Sequence, residues 1–229
     1  MNILVIAAHP DDEILGCGGT LALHCINGDD TRVLILSDVC TSREENEALA
    51  FEKRNAMNTQ IESATEIIGI KKIYRENLID NRFDKLELLD IVKSIEKYKN
   101  EFMPDIIYTH FSDDLNIDHR MTFEAVLTAY RAEPGKSSPD IYSFFIPSST
   151  EWGNGRQQQI FNPNYFVDIS KVIDNKIEAM KCYKSELKPY PHTRSLEAVK
   201  IWANIWGISV GVEYAEPFVL IRKVVKKVC

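Results

Sequence analysis

The sequence predicts an α/β fold, a mostly parallel sheet covered by helices on both faces. Two observations carry this. Short apolar runs rich in β-branched residues alternate along the chain with longer amphipathic stretches. The 229 residues are 45% apolar and 10% aromatic, enough to bury a full core in one domain spanning residues 1–229.

Ile3 to Ala8 reads as the first strand, His9 to about Glu13 as a loop, and Ile14 to Ile26 as a helix ended by Asn27-Gly28. Gly16, Gly18 and Gly19 are poor helix formers, yet they allow that helix to pack close to the sheet. Arg32 to Ser37 is the second strand, and Glu44 to Ile68 a long helix stopped by Gly69. A short third strand, Lys72 to Tyr74, precedes a helix from Leu86 to Phe102. Pro104 then punctuates before the fourth strand, Asp105 to Thr109. A polar loop, His110 to Asp118, leads into a helix through Arg131, a turn at Glu133-Pro134-Gly135 and a strand from Ile141 to Ile146. Beyond Pro147 the pattern loosens: a loop from Ser148 to Gln159, a strand at Tyr165 to Asp168, helices at Lys171 to Tyr183 and Leu196 to Ile205, and a last strand at Pro217 to Arg222.

Composition excludes several functions. With 27 basic against 34 acidic side chains the net charge is −7, leaving no cationic excess to neutralise nucleic-acid phosphates. The first apolar run is cut by His9, Pro10 and two aspartates with no basic residue before it, so no signal peptide is expected. The uncharged stretch Ile201 to Val212 falls well short of the ~20 residues that span a bilayer. Cys17, Cys25, Cys40, Cys182 and Cys229 are odd in number and contain no C-x-x-C, which argues for a reducing, cytoplasmic setting.

In open α/β sheets, ligand sites gather where parallel strands end. The loop after the first strand carries His9-Pro10-Asp11-Asp12-Glu13, and the loop after the fourth carries Asp113 to His119. Three consecutive carboxylates repel one another unless a cation neutralises part of their charge. His9 and Asp12, three residues apart, with His119 from the second loop, supply two nitrogens and a carboxylate and leave a position for water, which is a catalytic rather than a closed zinc set. Fe2+ or Co2+ fit the same donors. Asp11, between two ligands, faces the open position as general base: it takes a proton from a water whose pKa the metal lowers to about 7 and returns it to the leaving amine. Each loop alone also reads as an ordinary polar turn, with Asp118 as N-cap or first-turn acid of the following helix. Cys17 and Cys25 read as inert packing, and Trp202 and Trp206, four apart, as core.

At these residues the chain resembles the PIG-L/LmbE-like family of zinc-dependent N-deacetylases. The resemblance rests on A-H-P-D-D-E at Ala8 to Glu13, the glycine-rich helix start Leu15 to Thr20, P-D-x-[IV]-Y-T-H at Pro104 to His110, D-L-N-x-D-H-R at Asp114 to Arg120, and His192-Thr193-Arg194-Ser195 near the C-terminus. It implies a Rossmann-like three-layer fold and hydrolysis of an N-acyl group, commonly N-acetyl on a glucosamine-type sugar. It also implies His9, Asp12 and His119 as zinc ligands, Asp11 as general base and Asp118 as a further catalytic acid. The family's usual first histidine of the second loop is Asn116 here, which can donate a hydrogen bond but cannot shuttle a proton. His192 is the candidate to take that role. Arg54 resembles a substrate-contacting arginine, although Asn58 stands where an acid is usual, and it reads equally as a solvated helix residue. Asp80 is a candidate for a sugar hydroxyl, and Trp152 for stacking on a sugar face.

The expected partner is a small amino-sugar or sugar conjugate, with homo-oligomerisation left open. Rival readings are a hydrolase of another amide, such as a thiol conjugate or N-formyl sugar, and a metal-containing sugar-binding protein without catalysis. A third rival, a nucleotide-binding reading of Gly16-x-Gly18-Gly19, is a poor match, because the glycines come late after the strand and carboxylates occupy the place of a pyrophosphate.

Overall fold

The computed structural model describes residues 1–38, 46–135, 137–153 and 160–225. In chain order it holds β1 (Asn2–Ala7), α1 (Asp12–Ile26), β2 (Asp30–Asp38), α2 (Glu47–Ile68), β3 (Lys72–Ile79), α3 (Leu88–Glu96), β4 (Ile106–Thr109), α4 (Ile117–Ala129), β5 (Asp140–Phe144), β6 (Tyr165–Asp168), α5 (Ile173–Cys182), α6 (Leu196–Val210) and β7 (Ala215–Arg222). The strands form one sheet in the order β3-β2-β1-β4-β5-β7-β6. The first five pair in parallel, and β7 runs antiparallel between β5 and β6. The expected α/β, three-layer architecture is what the chain adopts.

β1 shows why its run is apolar throughout. Ile3, Val5 and Ala7 join one core, under α1, α2, α5 and α6. Leu4, Ile6 and Ala8 join the other, under α3 and α4. Glycines set the α1 spacing: a Cβ on Gly16 would stand 2.6 Å from the Phe144 ring, and one on Gly19 2.8 Å from Ile169. At Cys17 (φ −149°, ψ 24°) the helix leaves helical geometry. It restarts on a side-chain cap from the far end of the chain, where Glu216 of β7 accepts from the N–H groups of Gly19 (2.9 Å) and Thr20 (2.7 Å). Buried Lys176 of α5 pairs with Glu216 and donates to the Leu15 carbonyl at 2.8 Å.

Several boundaries differ from expectation. β3 runs on to Ile79 because it is an edge strand, whose half-exposed Arg75 and Glu76 and exposed Asn77 carry no strand-like hydrophobic signal. α3 stops at Glu96, and the Lys97–Glu101 stretch turns so that Tyr98 stacks by Tyr74 at 4.4 Å. Cys17 is fully buried and Cys25 half-buried, both free thiols; Cys40 and Cys229, the start of the long helix at Glu44, and the end of the loop to Gln159 lie outside the described residues. Trp202 and Trp206 are half-buried in an aromatic cluster with Phe145 and Phe161 rather than in the core. Among the described residues no helix is long and apolar enough to cross a membrane.

Candidate active site

The strand order reverses between β1 and β4, so the loops leaving these two strands open beside each other at their carboxyl ends. The first loop is shorter than expected. α1 begins at Asp12, with Asp11 as N-cap in the left-handed region (φ 89°). Asp12 and Glu13 thus sit in a helical first turn, where the helix dipole offsets part of the charge crowding that the sequence assigned to a cation alone. The Asp11 N–H donates to Glu13 Oε2 at 3.1 Å, and the Tyr183 hydroxyl donates to Glu13 Oε1. Burial pushes the Glu13 carboxyl up to about 7, against the Tyr183 hydrogen bond.

Three candidate ligand atoms converge. His9 Nδ1 lies 3.1 Å from Asp12 Oδ2 and 3.2 Å from His119 Nε2, and His119 Nε2 lies 3.3 Å from Asp12 Oδ2. Donors ~2.0–2.1 Å from a tetrahedral ion stand roughly 3.3 Å apart, so this triangle already has the dimensions of one face of a zinc site. Asp12 Oδ1 is buried without a hydrogen-bond partner, an arrangement that is costly for a protein without a cation there. The residues fit a divalent metal.

Each imidazole is held from behind. Asp114 Oδ1 lies 3.1 Å from His119 Nδ1, and the same carboxylate accepts from the Asn116 N–H (2.9 Å), from Thr150 Oγ1 (2.7 Å) and from the Ser149 hydroxyl. Asp118 Oδ2 lies 3.1 Å from His9 Nε2 while its carboxylate accepts from the N–H groups of Asn81 (2.6 Å) and Phe83 (3.0 Å). Burial alone would lower both histidines. The carboxylates of Asp118, Asp12 and Asp80 instead hold His9 well above the usual imidazole range, and Asp12 and Asp114 bring His119 to about 9. For Asp12, burial is outweighed by His119 and His110, and the group is held well below the usual carboxylate range. His110 stacks on His119 at 3.9 Å; its Nε2 accepts from the Ala8 N–H at 2.8 Å, and burial next to His119 keeps it neutral.

A cavity of about 180 Å3 opens beside the triangle, lined by His9, Asp11, Asp80, Asn116, Glu186 and Arg194 with Pro10, Ser37 and Asn81. Asp11 is therefore at the cavity, where burial raises its carboxyl well above the ordinary value against the opposing charge of Arg194. Asp80 lines it too, 3.2 Å from His9 Nε2. Asn116 lines it while serving as N-cap of α4, its Oδ1 accepting from the Asp118 N–H at 2.8 Å, which leaves its amide N–H groups as donors. The cap of α4 is thus Asn116, and Asp118 is the first-turn acid.

Other candidates lie elsewhere. Asp118 sits behind His9, not on the cavity wall. His192 stands edge-on to exposed Trp152 at 5.8 Å, and its Nδ1 accepts from the Arg194 N–H at 3.0 Å; neither it nor Trp152 lines the cavity. Arg54 pairs with Asp38 at the end of β2 (2.7 and 2.9 Å), outside the lining. Sequence reasoning missed Asp114, Glu13 and Arg194. For Asp114 the signal was present: a carboxylate in the loop that delivers a ligand histidine is the expected partner of its second nitrogen.

Comparison with known proteins finds deacetylases among the chains similar to this one. The diacetylchitobiose deacetylase of Thermococcus kodakarensis is 25% identical over 100% of this chain and 86% of its own length. The 4-oxalmesaconate hydratase of Pseudomonas putida is 24% identical over 79% of this chain and 72% of its own. Among solved structures, N,N'-diacetylchitobiose deacetylase from Pyrococcus horikoshii superposes with a TM-score of 0.76 at 22% identity, covering 96% of this chain and 83% of that one. The family model described as PIG-L, GlcNAc-PI de-N-acetylase, matches residues 4–130, so the chain belongs to the PIG-L family of de-N-acetylases.

Proposed function

We propose that this protein is a metal-dependent hydrolase that removes an N-acyl group, in the first instance N-acetyl, from a small amino-sugar-containing substrate. The observation that carries the reading is the closed triangle of His9 Nδ1, Asp12 Oδ2 and His119 Nε2 beside a cavity that Asp11 lines. Two imidazoles and one carboxylate favour Zn2+, with Fe2+ or Co2+ accepted by the same donors. When bound, the ion supplies Lewis-acid polarisation of the amide carbonyl and makes water acidic near neutral pH.

The chain's own groups do the rest. Asp11 accepts a proton from the attacking water and delivers it to the amide nitrogen as the C–N bond breaks, giving a carboxylate and a free amine. A carboxyl raised by burial suits a group that both takes and returns a proton. Asn116 offers its amide donors to the carbonyl oxygen in place of a histidine. Asp118 and Asp114 hold the ligand imidazoles, so the role of Asp118 is exerted through His9. Asp80 accepts from a sugar hydroxyl. The diacetylchitobiose deacetylase relatives support an amino-sugar substrate. The scattered free thiols Cys17, Cys25 and Cys182 support a cytoplasmic setting.

The hydratase relative motivates a second reading, in which the same metal site adds water to a carbon–carbon double bond. The test is elemental analysis of purified wild type and His119→Ala, followed by amine release from N-acetylated amino sugars by wild type and Asp11→Asn. About one zinc or iron per chain, lost in His119→Ala, with amine release lost in a metal-replete Asp11→Asn, is the expected result. A metal-loaded protein that hydrates an unsaturated acid and releases no amine would favour the second reading, and absence of any bound metal after reconstitution would overturn both.

A further inference from the structure

The guanidinium that pairs with Asp11 comes from a distant part of the chain. Arg194 lies in the connection between α5 and α6 and is held on three sides. Its Nε donates to Ser148 Oγ at 2.7 Å, and its Nη1 lies 3.2 Å from Asp11 Oδ2 and 3.4 Å from Glu186 Oε2. The backbone around it is equally fixed. The Arg194 N–H donates to His192 Nδ1, and Ser195 begins α6 by accepting from the Ala198 N–H at 3.0 Å. Glu151 brackets the two ends of the contact, accepting from the Ser148 N–H (2.7 Å) and from Thr193 Oγ1 (2.8 Å). Asp11, by contrast, has its backbone set by φ 89° and by Glu13, but its buried Oδ2 makes no hydrogen bond. The ion pair with Arg194 is what orients that carboxylate. Two carboxylates already surround Nη1, so Arg194 is not disposed to receive an anionic substrate group.

We propose that Arg194 is a positioning residue: from the α5–α6 connection it fixes the Asp11 carboxylate at the cavity wall, in the orientation that the hydrolysis proposed above requires. His192 then acts through the backbone of Arg194, whose N–H donates to its Nδ1. A lysine would not substitute, because a single ammonium cannot span Ser148 and Asp11 as the guanidinium fork does.

The test compares zinc-loaded wild type, Arg194→Ala and Arg194→Lys in amine release from N-acetylated amino sugars, with crystal structures of each. Displacing a reacting group by ~1 Å costs on the order of 100-fold, so Arg194→Ala loses about that in kcat while KM stays within about threefold and zinc content is unchanged. Added guanidinium at about 50 mM, far below the molar concentrations that unfold proteins, restores kcat saturably and returns Asp11 to its wild-type rotamer in the crystal. Arg194→Lys shows an intermediate loss, and it carries the test if the alanine variant does not fold. A wild-type kcat in either variant, a loss confined to KM, or an unmoved Asp11 carboxylate in Arg194→Ala overturns the proposal. If wild type itself releases no amine, the hydrolase reading fails, and the position of Asp11 in the variant crystals still decides the role of Arg194.

Discussion

Replacing Asp114 with asparagine tests the metal centre from behind. The substitution keeps the size of a fully buried side chain and removes the charge facing His119 Nδ1 at 3.1 Å, while one of the two oxygens that accept from the Asn116 N–H and from Thr150 becomes an amide donor. A charge-assisted hydrogen bond is worth roughly twice a neutral one, so the ligand imidazole loses about 1–2 kcal/mol of support. That corresponds to a zinc dissociation constant raised about 5- to 30-fold. A second effect opposes it. His119 titrates at about 9 in the metal-free protein, so at pH 7 a proton competes with zinc and weakens apparent binding by about 100-fold. Removing Asp114 lowers that proton affinity, and each unit of decrease returns about tenfold of apparent affinity at pH 7. The two effects nearly cancel near neutrality and separate above pH 9. Chelator competition at pH 7 and at about pH 9.5, with thermal unfolding to confirm the fold, should show a small difference at the lower pH and a clear loss at the higher. Wild-type affinity at the higher pH would refute the assignment of Asp114 to His119.

The metal-free protein should lose stability as pH rises from 6.5 to 9. The folded state holds the His119 proton more tightly than the unfolded chain does, so its contribution is complete below 6.5 and gone above about 9, an upper bound of about 3 kcal/mol; a melting temperature that is flat or rising over this window counts against it. Glu13, raised from 4.5 to about 7, acts in the same direction at lower pH, its neutral form being favoured by burial until the pH passes 7. Gly16→Ala should destabilise by about 1–3 kcal/mol in denaturant titration, since its Cβ would meet the Phe144 ring at 2.6 Å; a loss below about 0.5 kcal/mol would mean the sheet gives way more easily than its packing suggests. His192→Ala should retain zinc and lose less kcat than Arg194→Ala, because its ring touches Trp152 and a backbone N–H; an equal or larger loss would restore it as a catalytic group.

The parts legible in the sequence were those written locally. β1 and its loop announce themselves because an apolar run buried on both faces ends abruptly in His9, Asp11 and Asp12. His119 was reached through the rule that ligand sites gather where parallel strands end, and the loops of β1 and β4 do open beside each other where the strand order reverses. Long-range orientation was not legible. Asp114 and Asp118 stand in one short loop, and nothing in their spacing says that one backs His119 while the other crosses to His9. Arg194 was in view beside His192, but which of the two side chains reaches Asp11 depends on a contact spanning more than half of the chain. The polar half of β3 was hidden because an edge strand needs no apolar alternation.

The cap that Glu216 places on the restarted α1 links the two ends of the chain across 196 residues. The helix that presents Asp12 and Glu13 is therefore finished by β7, and Tyr183 must arrive before Glu13 has its hydroxyl partner. A chain truncated before β7 would therefore carry His9, Asp12 and His119 but lack the carboxylate that caps the restarted α1.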